Sequence, residues 1–183
     1  MHTLEANLGK QDFHEALLVL GAAIDAKDGY TGRHVRRVAR IARAIAVELG
    51  LSPEEVSEAG LAGLLHDVGK IWIDDAVLNK QGALDAPEWE QMRRHPQFGW
   101  SIFVAAEEED LRRVARGLLL HHERPDGKGY PFGLRGEEVP RLARIIAVAD
   151  IFDAMPSDRP YLKAMSPREA FEEIVHHRGT QFC

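Results

Sequence analysis

Ser52-Pro53-Glu54-Glu55-Val56-Ser57-Glu58-Ala59-Gly60-Leu61-Ala62-Gly63-Leu64-Leu65-His66-Asp67-Val68-Gly69-Lys70 is the stretch on which the fold turns. Ser52 with Glu55 three residues on, and Pro53 at the first helical position, is a capping box that starts a helix. The helix runs through an apolar segment of Leu, Ala and Gly, expected inside, and ends where a histidine stands beside an aspartate. Imidazole nitrogen and carboxylate oxygen are both ligands for a hard-to-borderline divalent metal. With no cysteine nearby, the pair suits a catalytic site better than a zinc finger. A His-Asp dipeptide is weak alone, so the question is what else the chain brings to it.

On either side the sequence reads as helices. A helix is expected from Asp12, as its cap, through Asp25, with Leu17, Leu20 and Ile24 on one face. Asp28 to Gly32 reads as a turn, and a second helix runs from about Arg33 to Leu49. Val35, Val38, Ala42 and Ile45 form its apolar stripe, and Gly50 ends it. Asp85-Ala86-Pro87-Glu88 is another capping box, opening a short helix with Trp89 and Met92 expected inward. Pro96 opens the next, and Leu111, Val114, Ala115, Leu118 and Leu119 mark one that ends near His121-His122. Residues 123–140 are rich in glycine and proline among charges and read as a long ordered loop. The helical period returns from Arg141 to Met155, with Ile145, Ile146 and Val148 buried, until Pro156 stops it. Ser166-Pro167-Arg168-Glu169 is a third box, before a helix carrying Ala170, Phe171 and Ile174. Without a sustained strand-like alternation or a repeat, the fold class is all-α, a multi-helix bundle of antiparallel neighbours. Residues 1–11 read as a linker or N-terminal remnant, and residues 12–183 as one domain.

The totals agree. The chain has 183 residues, 45% of them hydrophobic, which suffices for one packed core. No apolar run reaches membrane-spanning length, and the N-terminus lacks a signal-peptide pattern. Cys183 is the single cysteine, so a disulfide framework and a zinc ribbon are excluded and a cytoplasmic location is expected. The net charge of −6 disfavours DNA or a membrane surface as partner, but not a small phosphorylated ligand held by local cations.

Seven polar residues interrupt apolar helical stripes or sit where they end: His34, His66, Asp67, His95, His121, His122 and Asp150. A carboxylate such as Asp150, after the run 145–149, costs several kcal/mol to bury unless paired or metal-bound. Any one of these histidines is more often a surface or capping residue than a ligand. Together they are too many for one structural ion and suit two adjacent metals bridged by a carboxylate.

In this setting the chain resembles the HD-GYP family, a branch of the HD-domain metal phosphohydrolases. The matching segments are Asp28-Gly29-Tyr30-Thr31-Gly32-Arg33-His34, His66-Asp67-Val68-Gly69-Lys70, Arg94-His95-Pro96, His121 through Pro131, Ala149 through Ala154, Ser157 through Tyr161, and Gly179-Thr180-Gln181-Phe182. The resemblance implies an HD-type bundle with a glycine- and proline-rich GYP loop. It implies a phosphodiesterase that hydrolyses cyclic di-GMP, a bacterial second messenger, to linear pGpG or GMP. By position, His34, His66, Asp67 and Asp150 would hold one metal and His95, His121 and His122 the second, with Asp67 bridging. Iron or manganese is implied. Two metals lower the pKa of a shared water, giving hydroxide near neutral pH to attack phosphorus in line. Asp67 and Lys70 are the candidate catalytic residues. Lys70, Tyr130, Arg159 and Lys163 are the candidate substrate contacts, whereas Glu123 and Asp126 are expected to hold the loop in place.

Some positions depart from the family pattern. Tyr30 stands where some members have a glutamate associated with a third metal, and its phenol is a poor ligand at neutral pH, so two metals are expected. Leu162 replaces a common basic residue, Pro156 a usual threonine, and the C-terminus at Cys183 is shorter than in relatives. That shortening is expected to expose part of the core and favour a homodimer. Regulatory domains and GGDEF-type proteins are the other expected partners. The alternative function is a catalytically slow module that binds a cyclic dinucleotide or a protein partner as a signalling regulator.

Overall fold

The structure, a computed structural model, describes residues 2–28, 33–155 and 165–183, with side chains described from Glu15 onward. Nine α-helices are present among these residues: α1 (His2–Lys27), α2 (His34–Glu48), α3 (Pro53–Leu65), α4 (Asp75–Leu78), α5 (Ala86–Met92), α6 (His95–Phe103), α7 (Glu109–Leu120), α8 (Arg141–Ala154) and α9 (Pro167–His176). Short 3-10 helices cover Val68–Trp72 and Gly136–Glu138. The described residues contain no strand, only the isolated bridges Asp126–Arg135 and Arg178–Phe182. The fold is all-α, as the helical periods and capping boxes imply.

The boxes form as read. Ser52, Asp85 and Ser166 each accept the backbone N–H of the glutamate three residues on, and each glutamate side chain accepts the cap's own N–H. Helix α2 ends in a Schellman arrangement: Leu51 N–H reaches Ala46 O and Gly50 N–H reaches Val47 O, with Gly50 at φ +68°. That left-handed residue turns the chain back at once, so α2 and α3 pack as antiparallel neighbours. The first residue of α2, His34, therefore comes beside the residue that ends α3, His66.

The core joins Leu17 and Ile24 of α1, Val35 of α2, Leu64 and Leu65 of α3, and Leu118 of α7 with Ile146 of α8. A second cluster, with Val38, Ala42, Ala59, Ile145 and Ala149, seals α2 and α3 against α8. Burying a Leu or Ile of this kind is worth about 1.5–3 kcal/mol. These layers bring the ends of α2, α3, α7 and α8, and the start of α6, to one place.

Several expectations need correction. Helix α1 starts at His2, so Asp12 lies inside it rather than capping it. Trp89 is 52% exposed rather than inward, because α5 has only two turns and lies at the rim of a cavity. Val148 is half-buried, and Phe171 is exposed on the outer face of α9. Tyr30, Pro156, Arg159, Leu162 and Lys163 lie outside the described residues.

Candidate metal centre

Four buried histidines are each anchored through Nδ1. His66 Nδ1 lies 2.9 Å from Gly63 O, His95 Nδ1 2.8 Å from Met92 O, and His121 Nδ1 2.6 Å from Leu118 O. Each partner is the carbonyl three residues earlier, at or just past a helix end where carbonyls lack intrahelical donors. A carbonyl can only accept, so Nδ1 carries a proton and Nε2 is the nitrogen turned toward the centre. His34 Nδ1 meets a carboxylate instead, Asp153 Oδ2 at 2.7 Å, which also takes the Arg37 guanidinium. These contacts fix ring orientation, as the outer partners of ligating histidines do.

The inward atoms form two groups. Ligand atoms of His34, His66 and Asp150 lie within 4.8 Å of one another, and so do those of His95, His121 and His122. Asp67 stands between them, with Oδ2 3.2 Å from His66 Nε2 and Oδ1 3.3 Å from His95 Nε2. One carboxylate thus offers one oxygen to each triad. All seven residues singled out from the sequence converge here.

The donor set fits cations. His66 Nε2 and His121 Nε2 are buried and find no hydrogen-bond partner among the described residues. Buried polar atoms are rarely left so without a role. His122 Nε2 and His95 Nε2 approach to 3.2 Å, where two lone pairs repel unless a proton or cation lies between them. Burial first, then neighbouring imidazoles or Lys70, favours neutral rings: His95 is pushed down to about 3, His121 to about 4, and His122 well below the usual range. Neutral imidazole is the metal-binding form. In the other triad, burial would depress His34, but hydrogen bonds to Asp150 and Asp153 outweigh it and hold it at about 9. Burial opposes the charge on Asp67 and Asp150 as well. His66 and Lys70 around Asp67, and His34 and His66 around Asp150, outweigh it and keep both carboxylates ionised.

Lys70 is the other residue this centre positions. Its ammonium lies 2.6 Å from Asp28 Oδ2 and 2.9 Å from Asp67 Oδ2. Burial would favour its neutral form, but the two carboxylates hold it protonated. The 3-10 turn that carries Lys70 packs tightly on α6, because a Cβ at Gly69 would collide with the His95 carbonyl and the Gly99 amide. Gly69→Ala is therefore expected to destabilise the fold by about 3 kcal/mol, read as a fall in thermal midpoint.

The glycine-rich loop closes one side. Buried Glu123 accepts the backbone N–H groups of Phe132 (2.6 Å) and Leu134 (2.9 Å), and Asp126 pairs with Arg124. Both carboxylates hold the loop, as their positions implied. Glu123→Ala is expected to cost about 3 kcal/mol and to speed amide exchange at Phe132 and Leu134, with Glu123→Gln costing less. The loop bears Tyr130, whose ring stacks on His122 (centroids 4.7 Å apart, planes 20°) under the Arg93 guanidinium. A cavity of about 370 Å3 opens here, and His121, His122, Asp150, Tyr130, Arg93 and Trp89 are among the residues that line it.

Asp28, Asp153 and Arg37 escaped the sequence reading as partners of this centre. Asp153 could have been found, since it lies three residues after Asp150 on the same face of α8. Asp28 and Arg37 gave no comparable signal.

A bundle whose helix ends gather histidines around a His-Asp pair is the arrangement of an HD domain, and the chain belongs to the HD domain family, which it matches over residues 19–182. Its motif set is of the HD-GYP type. It is 44% identical over 168 residues to the cyclic di-GMP phosphodiesterase response regulator RpfG of Xanthomonas campestris, covering 92% of this chain and 44% of that protein. It is 43% identical over 170 residues to a cyclic di-GMP phosphodiesterase of Thermotoga maritima, covering 92% of this chain and 46% of the relative. The chain thus spans less than half the length of these curated relatives. Among solved structures, a cyclic GMP-AMP-specific phosphodiesterase of Vibrio cholerae superposes with a TM-score of 0.70 at 23% identity, over 92% of this chain and 45% of that one, which shows the shared fold. Among the described residues no helix is long and apolar enough to cross a membrane.

Proposed function

We propose that this chain is the catalytic module of a cytoplasmic phosphodiesterase that hydrolyses cyclic di-GMP to linear pGpG or GMP with two divalent cations, iron or manganese. The observation that carries the reading is the placement of Asp67 between two triads of ligand atoms. His34, His66 and Asp150 would hold one cation and His95, His121 and His122 the other, with Asp67 shared. Such cations supply Lewis acidity, which lowers the pKa of water and withdraws charge from phosphoryl oxygens.

The chain's own residues do the rest. The Nδ1 contacts keep the Nε2 lone pairs aimed inward, so little reorganisation accompanies the reaction. Lys70 has three protons, and Asp28 and Asp67 engage two of them. The third is available to a phosphoryl oxygen or to the departing ribose oxygen. Tyr130, already stacked on His122, presents its hydroxyl rather than an open ring face to the substrate. Arg159, which lies in a motif shared with the family, and Lys163 would take the second phosphate. The lengths of the relatives suit a module joined to regulatory domains, with GGDEF-type proteins or a second copy as further partners.

The test is anaerobic turnover of cyclic di-GMP by protein loaded with iron or manganese. Appearance of pGpG or GMP is expected. Tight binding without product would replace this reading with that of a signalling regulator, and hydrolysis confined to a mixed cyclic dinucleotide would reassign the substrate.

A further inference from the structure

We propose that Trp89 is the residue that selects purine bases at the cavity, by stacking on one nucleobase of the bound cyclic dinucleotide. This rests on the functional reading above and extends it from phosphate chemistry to base selection.

Three observations lead to it. First, Trp89 is 52% exposed and lines the same cavity as His121, His122 and Asp150. Leaving an indole half in water forfeits much of its burial energy, so an exposed one beside a polar centre suits a ligand. Secondly, the other aromatic in this wall is already engaged. Tyr130 stacks on His122 and carries the Arg93 guanidinium over its ring. Trp89 has no ring or cation partner of this kind among the described residues, and half of its surface is exposed. Thirdly, Trp89 in the middle of α5 and Arg93 at its C-cap stand four residues apart and line the cavity together. The cap of that helix is firm, with Asp85 and Glu88 exchanging both hydrogen bonds. The indole is thus carried on an anchored element.

The chemistry matches a nucleobase. Purines present a larger π-face than pyrimidines, and Trp offers the largest aromatic surface of any side chain. A phosphodiester held at the histidine centre would leave its attached nucleoside to extend along the wall, where Trp89 stands. Stacking of a base on an aromatic side chain accepts every base, and the preferences it shows come from stacking strength, which the larger contact area of a purine raises. Arg93, next to it, supplies a cation for a carbonyl of the base.

The proposal is tested with wild type, Trp89→Ala and Trp89→Phe, each loaded with the same metal and given cyclic di-GMP or cyclic di-UMP. Wild type is expected to prefer the purine substrate. Trp89→Ala is expected to raise KM for cyclic di-GMP by about tenfold or more, with a smaller effect on kcat, and to raise KM for cyclic di-UMP far less. Trp89→Phe should recover most of the preference. Equal losses on both substrates, or no loss, would overturn the proposal. If wild type turns over neither nucleotide, the functional reading fails separately, and calorimetric binding of the same two nucleotides to the same three proteins decides the stacking role. A wild type that binds both equally, or an alanine variant that keeps the purine preference, overturns it there too.

Discussion

Asp67→Ala is expected to lower kcat/KM by at least about a thousandfold, the equivalent of about 4 kcal/mol of transition-state stabilisation. Asp67 offers one carboxylate oxygen to each triad and also receives the Lys70 ammonium. Its removal takes away the shared anion, and it releases the lysine from one of its two anchors. Asp67→Asn separates charge from shape. It preserves the outline of the side chain but lacks the negative charge, so its loss should approach that of alanine if charge is what matters. The fold should survive either change, because Asp67 belongs to neither apolar core cluster. Far-UV circular dichroism reads the fold, and steady-state kinetics reads the loss. Activity within tenfold of wild type would remove Asp67 from the reaction and with it the bridging assignment.

His121→Ala should reduce bound metal from two ions per chain to one, with turnover falling by about a hundredfold or more. His121 is fully enclosed, its Nδ1 tied to Leu118 O and its Nε2 without a partner among the described residues. The triad of His34, His66 and Asp150 does not include it. One site should therefore empty while the other still loads, a pattern that a general loss of structure would not give. Elemental analysis after dialysis counts the ions. Thermal unfolding supplies a second reading, since metal bound only to the native state raises the midpoint. Wild type should gain more from added metal than the variant does. Two ions retained in His121→Ala would contradict the ligand assignment, whatever happens to activity.

The histidine centre also explains how its groups are kept ready. An inward-facing Nε2 is secured in three cases by a carbonyl three residues upstream, which holds Nδ1, and in the fourth by Asp153. The bundle thereby recruits the unsatisfied carbonyls of its own helix ends as outer partners. That is an economical solution, because those carbonyls need donors in any case.

Local chemistry made the helices readable from the amino-acid order. The boxes at Ser52, Asp85 and Ser166, the apolar stripe of α2 and the glycine after it are short-range signals, set by hydrogen bonds and periods within a few residues. So were the ligand candidates, since a histidine or aspartate at the end of an apolar run stands out wherever the chain later goes. The role of Glu123 in the loop was legible for a similar reason, lying among glycines and prolines that need an anchor.

Convergence was decided only by tertiary structure. Sequence order could nominate Asp67 as a bridge, but its two oxygens face different triads because α3, α6, α7 and α8 pack at fixed offsets. The Asp28–Lys70 and Asp153–His34 contacts join residues 42 and 119 positions apart, beyond any local pattern. Trp89 shows the same limit in reverse. Its place in a seven-residue helix could not tell an inward face from the rim of a cavity, because two turns fix a period too weakly and the cavity is built by other segments. Local hydrogen bonding sets the elements, whereas long-range packing sets which of their side chains meet.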